Sequence, residues 1–181
     1  MAHKKLILDS DTLDITISRL CQQLIENHGD FSNTVMIGLQ PRGILLAEWM
    51  VQKLEKELLK PIPLGFLDPT FFRDDFRRRD KPVQASESRI NFPIEGKRVV
   101  LVDDVLFTGR TVRAALDALL AYGRPDKVEL LVLIDRKYNR QLPICADYIG
   151  KSVNTPAFQK VLVELQAEKN KKNRIWLINK E

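Results

Sequence analysis

The amino-acid sequence predicts an α/β fold in which helices flank a mainly parallel, twisted sheet. Three short apolar runs are typical of strands buried on both faces: residues 35–39, 99–102 and 128–134. The first two are each followed by a turn and by apolar residues at helical spacing, over residues 44–59 and 112–122. Strand, turn and helix in this order form half of a parallel α/β unit.

The remaining elements are predicted from similar patterns. A stripe of apolar residues predicts a first helix over about residues 12–27, capped by Asp11 or Thr12. Further strands are predicted over residues 63–67, 146–153, 161–165 and 174–178, the first as a proline-bearing edge strand and the last two as a closing hairpin.

Length and composition indicate a single domain over residues 1–181, with 44% hydrophobic residues to fill a core. One irregular segment, residues 68–93, has no sustained period and is typical of a functional flap or a long hairpin. Arg77, Arg78 and Arg79 lie inside it between aspartates. They indicate a solvated loop, a lid over a polyphosphate or a contact to RNA.

Composition also bears on location and partners. No apolar run precedes Asp9 and no stretch reaches the roughly 20 apolar residues of a membrane span, so we expect a soluble, cytoplasmic protein with no membrane contact. Cys21 and Cys145 lack metal-ligand spacing, and we expect two buried free thiols with neither a disulfide nor zinc. A net charge of +5 and a pI near 9.2 favour phosphate-rich ligands or RNA, although many enzymes are equally basic.

The central motif begins where the apolar run 99–102 ends in two carboxylates, Asp103 and Asp104. The turn 108–111, Thr-Gly-Arg-Thr, then leads into a helix whose free N–H groups form an anion site, most naturally for a phosphate. Carboxylates beside a phosphate either hold a divalent cation or accept hydrogen bonds from sugar hydroxyls, and both alternatives indicate a sugar phosphate. The plainer interpretation is that the carboxylates end the strand and Thr111 caps the helix.

Polar residues also end two other predicted strands. The turn 40–43, Gln-Pro-Arg-Gly, follows one strand, and Asp135-Arg136-Lys137 follows another. Open α/β folds bind ligands along the carboxyl edge of the sheet. We therefore expect a site along this edge, with Arg136 in contact with the ligand.

The segment 99–112 resembles the phosphoribosyl pyrophosphate (PRPP) signature of the type I phosphoribosyltransferases, which has a hydrophobic strand, two acidic residues and a Thr-Gly-x-Thr loop. It is similar more narrowly to the PyrR type, the pyrimidine operon attenuation proteins that are also uracil phosphoribosyltransferases. The similarity covers nearly the whole chain. Residues 38–44 resemble the family's pyrophosphate loop, residues 67–75 its flexible hood, and Asp135-Arg136 with residues 142–144 and 146–151 its uracil-recognition region. The resemblance thus implies that the irregular segment of about residues 68–93 is a hood insertion.

This resemblance implies transfer of phosphoribose from PRPP to uracil, giving UMP and pyrophosphate, with Mg²⁺ as the cofactor. By position it assigns PRPP and UMP binding to Pro41, Arg42, Gly43, Arg73, Asp103, Asp104, Val105, Leu106, Phe107, Thr108, Gly109, Arg110 and Thr111. Asp103, Asp104 and Arg42 are the implied catalytic residues. The two aspartates are also the implied Mg²⁺ residues, directly or through ribose hydroxyls.

Individual roles follow from the same resemblance. The phosphate loop, residues 108–111, holds the 5′-phosphate, and the acid pair, Asp103 and Asp104, takes the ribose hydroxyls. Pyrophosphate is contacted by Arg42 and its neighbour Pro41, and Arg73 folds over it. The resemblance names no general base.

Arg136 and the backbone near Val153 are implied to frame the base. Purine phosphoribosyltransferases typically carry an aspartate facing the base where this chain has Phe107, which argues against a purine. The chain departs from the PyrR pattern near the base pocket at Lys137-Tyr138, at Cys145 and at residues 153–155. A phosphoribosyltransferase for a different base is therefore an alternative.

A second implied function is UMP-responsive binding of a pyrimidine leader mRNA, which would control transcription attenuation. The implied RNA-binding positions are Ser18, Arg19, Gln22 and Lys151. At the position of Gln22 the family often has histidine. A regulator with little or no catalysis is a further alternative, disfavoured because the PRPP segment is intact. The family leads us to expect a homodimer or a higher homo-oligomer.

Overall fold

A parallel sheet of five strands forms the centre of the protein. The structure, a computed structural model, describes residues 4–74, 86–156, 158–166 and 172–179. Its helices are α1 (Ser10–His28), α2 (Gly43–Leu58) and α3 (Arg110–Leu119), with short 3₁₀ helices at Thr70–Phe72 and Leu120–Tyr122. Its strands are β1 (Lys4–Leu8), β2 (Thr34–Leu39), β3 (Leu64–Leu67), β4 (Arg98–Leu106), β5 (Lys127–Lys137), β6 (Tyr148–Asn154), β7 (Gln159–Glu164) and β8 (Arg174–Asn179).

The sheet order is β3-β2-β4-β5-β6, with every neighbouring pair parallel. This arrangement confirms the predicted α/β class, and β3 is the predicted edge strand. A second sheet, β1-β8-β7, is antiparallel and contains the predicted closing hairpin of β7 and β8. Strand β1, which the sequence pattern did not predict, completes that sheet.

Two apolar clusters pack on opposite faces of the central sheet. Val100 and Val102 of β4 belong to the cluster that contains the buried sides of α1 and α2. Val99 and Leu101 belong to the cluster that contains the buried side of α3. Because side chains alternate along a strand, the next two residues of β4, Asp103 and Asp104, also point to opposite faces. Within the described ranges, no helix is long and apolar enough to cross a membrane.

Several predicted boundaries are wrong. Helix α1 is capped by Asp9, whose carboxylate accepts a hydrogen bond from the Thr12 N–H at 2.8 Å, and not by Asp11 or Thr12. Strand β4 continues past its apolar run because β5 keeps pairing with it as far as Leu106. The acid pair therefore lies inside the strand and does not end it.

One of the two cysteines also differs from the prediction. Cys21 is buried, as expected, and burial raises the pKa of its thiol to about 12. Cys145 is exposed because it lies in the connection between β5 and β6, outside both apolar clusters. Both are free cysteines.

A buried polar cluster joins the amino ends of the parallel strands. The His28 ring is hydrogen-bonded to the Thr34 hydroxyl at 3.0 Å and to the Tyr148 hydroxyl at 3.1 Å. Glu129 lies 3.4 Å from the same ring, and Arg98 donates to its carboxylate at 3.1 Å. Burial, together with the nearby Arg98 charge, lowers the pKa of His28, so this ring is held neutral in the folded protein.

This cluster makes stability depend on pH. In the unfolded chain, histidine has a pKa near 6.5, whereas His28 in the folded protein has a lower pKa. Below about pH 6.5 the unfolded chain therefore binds more protons than the folded protein, and the free energy of unfolding decreases as the pH falls. We expect His28→Gln to lower the free energy of unfolding by about 1–3 kcal/mol at pH 8. At pH 5.5 the difference in unfolding free energy from the unsubstituted protein, which we call the gap, should be smaller. Urea denaturation at both pH values measures this gap. Tyr148→Phe, which keeps the titrating ring, should retain most of the pH slope, and a gap for His28→Gln that does not change with pH would contradict the assignment.

Candidate active site

The carboxyl edge of the central sheet brings together four segments that lie far apart in the sequence. They are the turn 40–43 between β2 and α2, residues 103–111 from β4 into α3, the end of β5 at Asp135 and Arg136, and the end of β6 at Val153. Since the strands are parallel and adjacent, their ends meet at one edge. The predicted sugar, phosphate, pyrophosphate and base residues thus share one side of the molecule.

The acid pair is buried, with Asp103 9% and Asp104 6% exposed. Asp103 Oδ1 accepts a hydrogen bond from the Asp104 backbone N–H at 2.9 Å. Among the described residues, Asp104 Oδ2 has no hydrogen-bond partner, and the Arg42 guanidinium lies 4.0 Å from it. Burial raises the pKa of Asp103 well above its ordinary value, and the neighbouring Asp104 carboxylate raises it further. Burial also raises the pKa of Asp104, although Arg42 opposes that shift.

This geometry suits a Mg²⁺ ion or the hydroxyls of a sugar. Mg²⁺ is a hard cation that proteins commonly hold through one or two carboxylates together with substrate phosphates and water. A bound cation or hydroxyl would supply the partner that Asp104 Oδ2 lacks. No group of three or more histidine, cysteine, aspartate or glutamate side chains in the described ranges could hold a metal ion, so the remaining ligands would come from substrate and water.

The turn before α2 approaches the acid pair because residue 43 is glycine. A Cβ atom at Gly43 would lie 2.3 Å from the backbone oxygen of Val102, which no side chain tolerates. Arg42, one residue earlier, is about half exposed and carries its guanidinium to Asp104. The N-cap residue Arg42 makes no side-chain capping hydrogen bond, so its side chain leaves the first N–H groups of α2 available to an anion.

The phosphate loop has the form expected of an anion site. Gly109, at φ +90°, is the N-cap of α3 and offers no side chain to the helix. The plainer interpretation, in which Thr111 only caps this helix, is therefore wrong. The Thr111 hydroxyl instead accepts a hydrogen bond from Arg73 at 2.6 Å. Thr108 accepts a weak hydrogen bond from the Arg110 N–H at 3.4 Å.

The first part of the hood, residues 70–74, lies against the start of α3. Besides the Arg73 contact to Thr111, Arg110 forms an ion pair with Asp74, and Arg113 donates to the Phe72 carbonyl at 2.8 Å. Arg73 was expected over the pyrophosphate, but here it contacts the phosphate loop. The arginines Arg77, Arg78 and Arg79 lie outside the described residues.

Arg136 is buried, and its hydrogen bonds are directed away from the acid pair. Its Nε donates to the Thr155 hydroxyl at 2.8 Å and its Nη2 donates to the Gln159 carbonyl at 2.9 Å. Its guanidinium stacks on the Phe107 ring, 3.9 Å from the centroid. Burial lowers the pKa of Arg136. Arg136 therefore supports the Phe107 ring. Val153 of β6 is paired with Arg136 of β5 in the sheet register. Contact of Arg136 or Val153 with a base stays a prediction.

The sequence patterns did not predict Arg140, which joins the implied base region, formed by Phe107, Arg136 and Val153, to the phosphate loop. It donates to the Phe107 carbonyl and to the Asp135 carboxylate, and its Nε donates to the Ile144 carbonyl at 3.0 Å. The signal was a lone arginine in the polar stretch after β5. The same connection supplies Gln141, whose N–H donates to the Thr108 carbonyl at 3.0 Å.

The departures from the PyrR pattern lie mostly at the surface. Lys137 is exposed, Tyr138 is 89% exposed at φ +65°, and Cys145 is exposed. None of the three takes part in the buried contacts of Arg136 described above.

The implied RNA-binding positions lie on helix α1 and strand β6. Arg19 on α1 is exposed and donates to the Gly150 carbonyl at 2.7 Å, which places it beside Lys151 on β6. Ser18 and Gln22 lie on the same part of α1, where Gln22 donates to Glu57. The fold thus joins a helix and a strand that are about 130 residues apart in the chain.

Comparisons with known proteins agree with this geometry. The family model for the phosphoribosyl transferase domain matches residues 4–168. The bifunctional protein PyrR of Haemophilus ducreyi is 47% identical over 166 residues, which cover 90% of each chain. That of Enterococcus faecalis is 39% identical over 174 residues, 96% of each chain.

Solved structures support the same fold. The hypoxanthine phosphoribosyltransferase of Trypanosoma cruzi superposes with a TM-score of 0.72 at 16% identity, covering 98% of this chain and 97% of that one. A hypoxanthine-guanine phosphoribosyltransferase of Bacillus anthracis superposes with a TM-score of 0.68 at 16% identity, covering 96% of each chain. At these identities the likeness concerns the fold alone.

The acid pair should lower the stability of the folded protein. Raised carboxylate pKa values mean that the folded state holds protons more tightly than the unfolded state, so stability falls as pH rises above about 4 toward the raised values. We expect Asp104→Asn, which replaces the buried carboxylate with a neutral amide, to stabilise the protein at pH 8 by about 1 kcal/mol or more, roughly 2–4 °C in Tm. Thermal unfolding of the unsubstituted protein, Asp104→Asn and the exposed control variant Asp126→Asn measures the difference in Tm. A lower Tm for Asp104→Asn would contradict this account of the pair.

Proposed function

The chain belongs to the PyrR family of phosphoribosyl transferase domain proteins, and we propose that it transfers phosphoribose from PRPP to uracil, giving UMP and pyrophosphate. One observation carries the proposal: strand β4 delivers a buried acid pair and then leads directly into the open N-terminus of α3. A sugar phosphate is the ligand that uses both features at once.

The reaction replaces the bond between the anomeric carbon and pyrophosphate with a bond to a nitrogen of the base. As the first bond breaks, positive charge develops on the ribose and negative charge on the departing pyrophosphate. The acid pair next to the sugar stabilises the positive charge, and Arg42 stabilises the negative charge. The 5′-phosphate, held by the phosphate loop, fixes the ribose between them.

The acid pair also suits the proposed cofactor. Asp103 and Asp104 would hold Mg²⁺, either directly or through ribose hydroxyls, and Asp104 Oδ2 is the oxygen without a partner. When bound, Mg²⁺ neutralises charge on the pyrophosphate oxygens. Arg42, from its position 4.0 Å from Asp104, binds the same leaving group from the side of α2.

Uracil fits the base region better than a purine does. Phe107 presents a ring, stacked on Arg136, at the position where a purine enzyme would present a carboxylate. The proposed polar partners for a pyrimidine are backbone groups at the end of β6 near Val153. The exposed positions of Lys137, Tyr138 and Cys145 leave this arrangement intact.

The second candidate function is UMP-responsive binding to a pyrimidine leader mRNA. The contact of Arg19 with Gly150 favours it, because this contact unites Arg19 and Lys151 in one basic surface. Phosphates of an RNA strand would pair with such side chains. The relatives are named bifunctional, which agrees with two activities in one fold. The cytoplasmic location and the homo-oligomer stay predictions.

For the enzyme, we expect radiolabelled uracil to be converted to UMP with PRPP and Mg²⁺, and hypoxanthine and orotate to react far less. Asp104→Asn should lower kcat/KM by about 100-fold or more, because it removes a charge that acts in the transition state. Asp126→Asn, a matched exposed change, should keep the activity of the unsubstituted protein. Equal conversion of hypoxanthine, or full activity in Asp104→Asn, would refute the proposed substrate or the role of the acid pair, respectively.

For the regulator, UMP should increase the affinity for a pyrimidine leader RNA, measured by filter binding. Arg19→Ala should weaken binding about tenfold at 0.1 M salt and reduce the slope of log affinity against log salt by about 0.7–0.9, the effect of one lost phosphate contact. Arg124→Ala, an exposed arginine in the connection between α3 and β5, is the control. No effect of UMP, or equal losses in both variants, would remove the support for the regulatory function.

A further inference from the structure

Three polar contacts fasten the first part of the hood to the start of α3. Arg73 Nη1 donates to the Thr111 hydroxyl at 2.6 Å, and Arg113 donates to the Phe72 carbonyl at 2.8 Å. Asp74 forms an ion pair with Arg110. We call Phe72, Arg73 and Asp74 the clip. Each contact reaches the first four residues of the helix, so the clip lies at the phosphate loop.

The base of the hood holds the clip in place. The Asp68 carboxylate accepts a hydrogen bond from the Thr70 N–H at 2.8 Å, and the Asp68 N–H donates to the Ser88 hydroxyl at 2.9 Å. Arg89 pairs through its backbone with Phe66 of β3. Both ends of the hood are therefore held beside β3, the edge strand of the central sheet. This fixes the position of the backbone that leads into the clip.

The Thr111 hydroxyl allows Arg73 and a phosphate to bind together. A hydroxyl accepts hydrogen bonds through its lone pairs and donates one through its proton. While its oxygen accepts from Arg73, its proton remains available to a phosphate oxygen. The guanidinium nitrogen would then lie within about 5.5 Å of the phosphate oxygen bound by Thr111. At that distance a cation stabilises a phosphate dianion strongly.

The pyrophosphate end of the site is served by a different arginine. Arg42 lies on the α2 side of β4 and reaches Asp104, whereas Arg73 lies on the α3 side and reaches Thr111. In PRPP the pyrophosphate and the 5′-phosphate are attached to opposite ends of the ribose.

We propose that Arg73 binds the 5′-phosphate through the phosphate loop, and that the clip therefore responds to UMP as well as to PRPP. This inference rests on the proposed function. It assigns Arg73 to the phosphate that substrate and product share, and not to pyrophosphate. Occupancy of the phosphate loop by either ligand thereby strengthens the attachment of the hood to α3.

Ligand affinities separate the two assignments. Calorimetric titration with UMP, PRPP, pyrophosphate and uridine, each with Mg²⁺, is carried out on the unsubstituted protein and on Arg73→Ala, Arg73→Lys, Arg42→Ala and Arg89→Ala. Arg73→Ala should lower the affinity for UMP and for PRPP about tenfold or more, and should change the affinities for pyrophosphate and uridine by no more than about twofold. Arg73→Lys, which keeps the charge, should recover most of the UMP affinity. Arg42→Ala should show the opposite pattern, weakening PRPP and pyrophosphate, and Arg89→Ala should change none of the four.

Other outcomes overturn the inference. A loss of PRPP and pyrophosphate binding in Arg73→Ala with unchanged UMP binding would place Arg73 over the pyrophosphate. Unchanged affinities, or equal losses for all four ligands including uridine, would show that Arg73 does not act at the 5′-phosphate. An unsubstituted protein that binds neither UMP nor PRPP would overturn the proposed function together with this inference, whereas the preceding results overturn the inference alone.

Discussion

The burial of two adjacent carboxylates near the end of β4 is the constraint around which the carboxyl edge is arranged. Each carboxylate loses hydration, and Asp104 Oδ2 gains no hydrogen bond in return. The surroundings limit this cost: Arg42 lies close enough to attract the Asp104 charge, and Gly43 leaves room for that approach. Such strained polar groups persist at functional sites because the rest of the fold stabilises them.

The amino and carboxyl edges of the central sheet differ in how completely their buried polar groups are paired. At the amino edge, Glu129 is surrounded by the cations of Arg98 and Lys127, the neutral His28 ring and the Tyr148 hydroxyl, so both of its carboxylate oxygens have polar partners. At the carboxyl edge, Arg42 lies near the acid pair, and within the described part of the chain one carboxylate oxygen has no partner. A bound ligand would therefore supply a missing polar contact at the carboxyl edge, where the candidate site lies.

Sequence patterns predicted the central strands and helices because each carries a long apolar run or a clear helical period. They did not predict β1, a short strand with two lysines on the rim of a small antiparallel sheet, where burial imposes little pattern. They ended β4 at Val102 because charge usually ends a strand, whereas backbone pairing with β5 continues to Leu106. The acid pair and the phosphate loop were predictable, since both lie on one continuous stretch of chain. The contact of Arg73 with Thr111 and the bonds of Arg140 were not, because they join side chains whose proximity only the folded chain determines.

The connection between β5 and β6 serves two parts of the site at once. Its Gln141 and Leu142 N–H groups donate to the Thr108 carbonyl, and Ile144 packs over Gly109. Its Arg140 meanwhile holds the carbonyl of Phe107 next to the base region. One piece of chain therefore contacts both the phosphate loop and the implied base region. Under the proposed function, a change in the length of this connection would alter the binding of the 5′-phosphate and of the base together.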